Sequence, residues 1–293
     1  MANSKRHHYI PQFYIKGFTG DDGLIAVYNK EKGKIESQRK SPKQVFFEWN
    51  RNTFTINGIE NDIIEKLYQH GENKFSPIYK KLIDKYEPIE LELYDLFYLI
   101  IFISEIHWRV PKQESETLDY IRILSSSKSI LKIKNKIDGN NVTEDRFNEI
   151  INEPAFIEAS KILRALQNFT ELQKNNLKQN WKLYYAQPES PKINLLGDNP
   201  LIIKNRINNN IVESELIFPL SKGKMVYHTK GKIIREIPAI NKINIDILTF
   251  LQAEKLVCCS SSKYLLDISN LAKKYDSDEF VQILKNQVFD IFE

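Results

Sequence analysis

The side chains best suited to chemistry are two adjacent histidines near the start of the chain, His7 and His8. Histidine changes charge near neutral pH and is a common metal ligand, so it can act as an acid, a base or a ligand. Adjacent side chains usually diverge, so we expect at most one of the two to serve a given site. The alternative is that the pair only packs against the apolar residues that follow, Tyr9, Ile10 and Phe13.

Three carboxylates follow at spacings of three and seven residues, at Asp62, Glu65 and Glu72, which places them near one face of a helix. Clustered carboxylates and a histidine are the ligands that a hard divalent cation would need. We therefore predict a Mg²⁺ or Mn²⁺ site formed by His8, Glu65, Glu72 and Asp198. The alternative is a solvated helix face with lysines nearby.

An arginine, Arg109, ends the most apolar segment of the chain and lies four residues after Glu105. This is the spacing of an ion pair within a helix. A guanidinium next to a core is also able to bind a phosphate or a carboxylate in a bidentate manner. A purely structural ion pair that closes the helix end is the competing interpretation.

The tripeptide Asp198–Asn199–Pro200 interrupts two apolar runs, so it lies at a strand end or in a tight turn. Loops at strand ends often carry functional groups, although a plain turn would use the same residues. Polar groups next to a core are costly unless they meet partners. We therefore predict one catalytic site that combines His7, His8, Arg109, Asp198 and Asn199.

The elements that must position these residues come in blocks. Strand-like segments precede residue 57, helical periodicity fills residues 60–178, short β-branched and aromatic segments follow Trp181, and three helices close the chain. Segregated blocks predict an α+β fold, in which the N-terminal strands and those of 182–260 form one mixed or antiparallel sheet. We expect a single domain, 1–293, with a helical insertion over about 59–180.

Composition narrows the class of protein. The formal net charge is only +4, which does not favour nucleic acid as strongly basic composition would. The two cysteines, Cys258 and Cys259, are adjacent and predict neither a disulfide framework nor a metal site, which suits a reducing, cytoplasmic location. No apolar segment is long enough for a membrane span, and the common nucleotide-binding and hydrolase motifs are missing.

Four segments carry a resemblance to a known family. They are HHYIPQFYIKGF at 7–18, IIEKLYQHGE around Glu65 and Glu72, IHWRVP around Arg109, and LGDNPLII at 196–203 with FPLS after it. In this order they resemble the bacterial HHYVP/SDNP family of unknown function, DUF4238. Gly197 departs from the Ser or Thr that the family pattern has before the Asp. The resemblance supports the same site residues and implies no chemistry.

Two hypotheses follow for function. The first is a metal-dependent phosphodiesterase or nuclease, acting as a toxin or an effector in bacterial anti-phage defence, with nucleic acid and a protein encoded alongside it as partners. The lysine-rich segments 128–136 and 222–232 would then follow a nucleic-acid backbone. The second is a non-enzymatic binding or sensor module, in which the same polar residues are structural.

Overall fold

The computed structural model describes residues 5–56, 59–84, 91–126, 133–135, 137–170, 177–185, 193–205, 210–275 and 277–293. Within these ranges, the α-helices are α1 (Gln12–Lys16), α2 (Ile63–Asp84), α3 (Leu93–Arg109), α4 (Glu114–Ser126), α5 (Glu144–Ile151), α6 (Pro154–Thr170), α7 (Leu177–Asn180), α8 (Ala239–Gln252), α9 (Ser262–Ala272) and α10 (Asp278–Phe289). The strands are β1 (Arg6–His8), β2 (Ala26–Asn29), β3 (Lys34–Ile35), β4 (Phe47–Trp49), β5 (Phe54–Ile56), β6 (Ile59–Asn61), β7 (Trp181–Tyr185), β8 (Leu196–Gly197), β9 (Ile202–Ile203), β10 (Leu216–Ser221), β11 (Lys224–His228) and β12 (Leu256–Cys259). The α+β class is therefore confirmed.

The strands form antiparallel sheets that join the two ends of the chain. One four-stranded sheet has the order β3-β2-β12-β8, so strands from before and after the helical block share it, as predicted. The expected single sheet is nevertheless divided within the described residues. A second four-stranded sheet, β7-β11-β10-β9, uses C-terminal strands only, and β1-β4 and β5-β6 are separate pairs. Short strands that end at turns leave little backbone with which to extend a common ladder.

The helical block differs from the sequence prediction at two points. We predict a break near Gly71 or Pro77, but α2 is continuous through both. Residues 146–177 have helical periodicity, and the structure divides this range, since α5 ends at Ile151 and Pro154 begins α6. Proline suits the first turn of a helix because it has no N–H to satisfy there. Thr143 caps the N-terminus of α5, since its hydroxyl accepts a hydrogen bond from Arg146 N at 3.4 Å.

The core is aromatic and lies between α3 and the sheets. Phe75 and Phe102 stack at 4.3 Å between ring centroids, and Tyr14 stacks on Phe218 at 5.3 Å. This cluster includes Tyr9 and Ile10 of the N-terminal segment, and Pro11 beside them is also buried. Among the described helices, none has both the length and the apolar character that crossing a membrane requires.

Candidate functional site

The first histidine of the pair holds a turn in place. His7 lies in β1 opposite Glu48 of β4, and the chain then reverses through Asn50, which has a positive φ of 55°. The backbone N–H of Asn52 donates to His7 Nδ1 at 2.8 Å. Asn52 in turn donates from its side chain to Glu65 Oε2 at 2.8 Å. His7 therefore positions the turn and, through it, the carboxylate of Glu65.

The second histidine is in a different electrostatic setting. His8 is buried, with Nδ1 3.4 Å from the side-chain nitrogen of Gln12, while no described residue forms a hydrogen bond with Nε2. Burial, followed by the positive charge of Arg109, lowers the pKa of His8 to about 4, against the opposing effect of Glu65. At neutral pH the ring is uncharged, so it carries one bare nitrogen able to accept a proton.

Arg109 is at the centre of a cluster of charged side chains. It is only 2% exposed, and its guanidinium lies 4.0 Å above the ring of Tyr68. Its Nη1 donates to Glu72 Oε1 at 2.7 Å and, with longer geometry, to Glu105 Oε1 at 3.5 Å. Burial disfavours the charged guanidinium, but Glu72 and Glu105 outweigh it and raise the pKa of Arg109. The predicted Glu105–Arg109 pair is present, and Glu72 joins it.

Glu105 is the carboxylate with the most unusual acidity. Burial, opposed by Arg109 and reinforced by Glu72, raises the pKa of Glu105 to about 7. A carboxyl group that is half protonated at neutral pH is suited to general acid catalysis. It reaches this position because Gly71 of α2 has no side chain: a Cβ there would come within 2.9 Å of Glu105 Oε2.

A second ion-pair cluster, around Glu158, is joined to the Arg109 cluster through Tyr68. Glu158 of α6 accepts hydrogen bonds from Arg51 Nη2 at 3.1 Å, from Lys161 Nζ at 2.6 Å and from the hydroxyl of Tyr68 at 3.3 Å. Arg51 also pairs with Glu48. Sequence analysis missed these residues. The available signal was the spacing of Glu158 and Lys161, which are three residues apart on a predicted helix, as in an ion pair within a helix.

Four buried polar atoms in this region have no hydrogen-bond partner within the part of the chain that the structure describes. They are His8 Nε2, Arg51 Nε, Asn52 Oδ1 and Arg109 Nε. A buried polar atom without a partner costs stability, so each calls for an explanation such as a bound water, an ion or a catalytic role. Their grouping around the Arg109 cluster points to a site that is completed by a ligand.

Asp198 forms its hydrogen bonds with the loop after α8. Its carboxylate accepts hydrogen bonds from the backbone N–H groups of Glu254, Lys255 and Leu256 at 2.7, 2.6 and 2.9 Å. These groups form the loop that links α8 to β12. Asp198 therefore fixes a loop, and among the described residues its carboxylate forms no hydrogen bond with His8 or Arg109.

Asn199 serves the same loop. It donates from its side chain to the carbonyl oxygen of Gln252 at 3.5 Å, and Gln252 returns a hydrogen bond to the Asn199 carbonyl at 2.5 Å. Gly197 precedes this turn, and a Cβ at that position would come within 3.1 Å of both Ala253 Cβ and the Thr249 carbonyl oxygen. The close packing of the turn on the end of α8 accounts for glycine where the family pattern has Ser or Thr.

The structure brings together His8, Arg109, Glu65 and Glu72 in one region but leaves Asp198 and Asn199 in another. In the described ranges, no group of three or more His, Cys, Asp or Glu side chains is arranged to hold a metal ion. The predicted four-ligand set is thus not assembled, since Asp198 is bound to three backbone amides.

The two lysine-rich segments, 128–136 and 222–232, are those predicted to follow a nucleic-acid backbone. Most of 128–136 lies outside the described residues. In the other segment, Lys222 pairs with Asp21, Lys232 with Glu215, and the buried Lys224 donates to the carbonyl of Leu82. Lys222, Lys224 and Lys232 thus have partners within the protein, whereas Lys230 of the same segment is exposed.

Comparison with known families agrees with the motif resemblance. A family model described as "Protein of unknown function (DUF4238)" matches residues 6–261, which include every residue of the candidate site. No curated protein and no solved structure matches the chain.

Proposed function

Because the chain belongs to the DUF4238 family, whose description assigns no activity, we propose a function from the site itself: a nuclease-like phosphodiesterase. One observation carries the proposal. The buried guanidinium of Arg109 is paired with Glu72 and Glu105 and lies within electrostatic range of His8, for whose Nε2 the described residues provide no hydrogen-bond partner. A candidate base and a candidate acid thus both lie within electrostatic range of one fixed positive charge.

Each side chain has a role that its environment supports. The uncharged ring of His8, whose Nδ1 lies 3.4 Å from the side-chain nitrogen of Gln12, would be the base that takes a proton from the attacking water. Glu105, protonated below about pH 7, would donate a proton to the leaving oxygen. Arg109 would stabilise the negative charge that develops on the phosphate. The opposite pKa shifts of His8 and Glu105 assign the base and the acid.

A surface next to the site supports nucleic acid as the substrate. Trp49 is 61% exposed, and the guanidinium of Arg6 lies 4.9 Å from its ring centroid and 5.1 Å from that of Phe47. Phe47 in turn contacts the ring of His8, with centroids 5.6 Å apart. Exposed aromatic rings beside arginine are the usual platform for stacked bases of single-stranded nucleic acid. A base on Trp49 would place its phosphate toward His8.

The proposal includes a divalent cation, Mg²⁺ or Mn²⁺. Mg²⁺ is commonly held by one or two carboxylates together with substrate phosphates, and Glu65 and Glu72 are the partly exposed carboxylates beside the site. Such a cation would shield the phosphate charge. A nuclease of this kind would suit a toxin or a bacterial defence effector that is held inactive by a protein encoded alongside it.

The test is cleavage of labelled single-stranded and double-stranded oligonucleotides with Mg²⁺, with Mn²⁺ and with a chelator. We expect cleavage of single strands, and losses of about 10²- to 10⁴-fold for His8→Asn and for Glu105→Gln. The rate should rise with pH through about 4 and fall through about 7, because the base must be free and the acid protonated. Glu105→Gln should abolish the fall.

Matched controls separate chemistry from folding. His228 is also buried, and burial likewise lowers its pKa to about 4. Its ring lies outside the site, where it packs against Trp181 and forms a hydrogen bond with the Ser214 carbonyl oxygen. His228→Asn and the exposed Glu92→Gln should keep full activity per folded molecule. Absence of cleavage under all three metal conditions, or full activity in His8→Asn, would contradict the proposal.

A binding or sensor module is the second candidate, and a specific observation favours it. His7, Arg109 and Asp198 all have protein partners, as structural residues do. If His8→Asn and Glu105→Gln lower the stability but leave a cellular phenotype intact in proportion to the folded protein, the binding function is the better account.

A further inference from the structure

A cleft is formed where the β1–β4 pair meets the sheet that contains β2 and β12. It has a volume of about 160 Å³, and Tyr9, Phe47 and Leu256 are among the residues that line it. Phe47 also lies beside the proposed base, because its ring centroid is 5.6 Å from that of His8. The cleft therefore adjoins the surface that we propose for the substrate strand.

The aromatic wall of the cleft is shaped by the backbone at the start of β4. Phe46 is buried with a positive φ of 54°, and its carbonyl oxygen accepts a hydrogen bond from Tyr9 N–H at 3.0 Å. A bulky residue keeps such a conformation only where its surroundings impose it. Phe47, the next residue, is half-buried, so one part of its ring remains open for an incoming ring to pack against.

A carboxylate reaches the cleft from the turn between β2 and β3. Glu31 lines the cleft and is exposed. The turn is fixed by Asn29, whose side-chain oxygen accepts a hydrogen bond from Lys32 N–H at 3.0 Å. An ionised carboxylate has two acceptor oxygens side by side. Glu31 is therefore placed to accept hydrogen bonds from a ligand that presents two neighbouring N–H groups.

A lysine provides donors to the same cleft. Lys255 lines it from the loop after α8, where its backbone N–H is held by Asp198 at 2.6 Å. Its ammonium lies 3.6 Å from Glu48, a second carboxylate of the cleft that is also paired with Arg51. The Lys255 side chain is 52% exposed, and an ammonium has three N–H groups, so it is able to donate to a ligand as well.

We infer that this cleft binds a guanine base of the strand to be cleaved, an inference that rests on the proposed phosphodiesterase function. The Watson–Crick edge of guanine has two neighbouring donors, N1–H and the N2 amino group, which match the two oxygens of Glu31. Its O6 and N7 are acceptors and suit Lys255, because lysine commonly donates to these two atoms.

The other bases fit this arrangement less well. Adenine and cytosine each have one amino donor beside a ring nitrogen that is an acceptor, and this acceptor would face the Glu31 carboxylate. Thymine has one N–H between two carbonyl oxygens. The volume of about 160 Å³ is below the range of about 300–1,000 Å³ that is typical for drug-sized ligands, so it suits a single base packed against Phe47.

Fluorescence anisotropy of labelled single strands with the full chain tests this assignment, in the presence of a chelator that prevents metal-dependent cleavage. Each strand consists of thymidines with one central position that is guanine, adenine, cytosine or thymine. We expect the guanine strand to bind about tenfold more tightly than the other three. Glu31→Gln and Lys255→Met should each reduce this preference, and the double variant should abolish it. Both residues are exposed, so these changes leave the core intact.

The matched controls are Glu279→Gln and Lys263→Met, at exposed positions on α10 and α9, which should keep the guanine preference. Equal affinity for the four strands, no measurable binding of the guanine strand, or an unchanged preference in the Glu31→Gln/Lys255→Met double variant would overturn the guanine site. Cleavage is measured separately, with Mg²⁺ or Mn²⁺. A guanine preference without any cleavage would refute the hydrolysis alone, and cleavage without a guanine preference would refute this site alone.

Discussion

Removal of the Asp198 carboxylate is the most informative single perturbation. The sequence places Asp198 in a catalytic and metal-binding set, whereas the structure has it accepting three backbone hydrogen bonds from residues 254–256. The side chain is 5% exposed and is the point at which the loop between α8 and β12 is fixed. Asp198→Ala removes all three acceptor contacts at once without adding volume.

The magnitude follows from those three contacts. A hydrogen bond to a charged acceptor contributes about 1.5–3 kcal/mol, so three bonds set an upper bound of about 5–9 kcal/mol. Glu254 and Lys255 are exposed, so water is able to reach their N–H groups once the carboxylate is gone. We therefore expect the free energy of unfolding to fall by about 3–5 kcal/mol for Asp198→Ala. Asp198→Asn keeps one acceptor oxygen, so its free energy of unfolding should fall by less.

Urea unfolding followed by fluorescence measures this loss, with cleavage of the oligonucleotide recorded per folded molecule. Asp267→Ala, at an exposed position on α9, is the control and should change the stability by less than about 0.5 kcal/mol. We expect Asp198→Ala to retain its activity at a temperature where it is folded. A loss of stability below about 1 kcal/mol together with abolished activity would refute this reasoning and return Asp198 to the chemistry.

Two further predictions concern the Arg109 cluster. Gly71→Ala should leave the stability within about 1 kcal/mol of the wild type, because the gain in helix propensity offsets the displacement of the flexible Glu105 carboxylate. Cleavage should nevertheless fall at least about tenfold, and unchanged cleavage would show that the position of Glu105 is unimportant. For His8, whose pKa is lowered to about 4, the folded state stays neutral while the unfolded state takes up a proton below about 6.5, so this contribution to stability is lost as pH falls from about 6.5 to about 4. The difference in unfolding free energy between wild type and His8→Asn should change by about 3 kcal/mol across that range, and a constant difference would rule out the neutral buried ring.

Local patterns account for the parts of the fold that sequence analysis predicted. The period of apolar residues in α3, α9 and α10 is set by the helix itself, so it is visible without knowing the partners. Sheet membership depends on contacts between distant segments. Nothing in Ala26–Asn29 specifies that it pairs with Leu256–Cys259, because any half-buried strand has a similar composition.

The candidate site divides in the same way. Arg109 and Glu105 are four residues apart on one helix, so their pairing could be predicted from spacing alone. The partners of Asp198 could not, because they are backbone amides that every residue carries. Glu72 also pairs with Arg109, but the two residues lie on different helices, so no local pattern predicts this pair.

A polar side chain is available for chemistry only if the fold has not already supplied all of its hydrogen-bond partners. A carboxylate that accepts three backbone hydrogen bonds has no remaining need for a ligand, and its geometry would be lost if it moved to meet one. His8 is the opposite case, because burial has removed its charge and the described residues provide no hydrogen-bond partner for Nε2. Glu105 is similar, since Arg109 reaches it only at 3.5 Å while burial keeps it partly protonated near neutral pH. The side chains of His8, Arg51, Asn52 and Arg109 each have a buried polar atom without a partner among the described residues, and this is why we propose the chemistry there and not at the Asp198 turn.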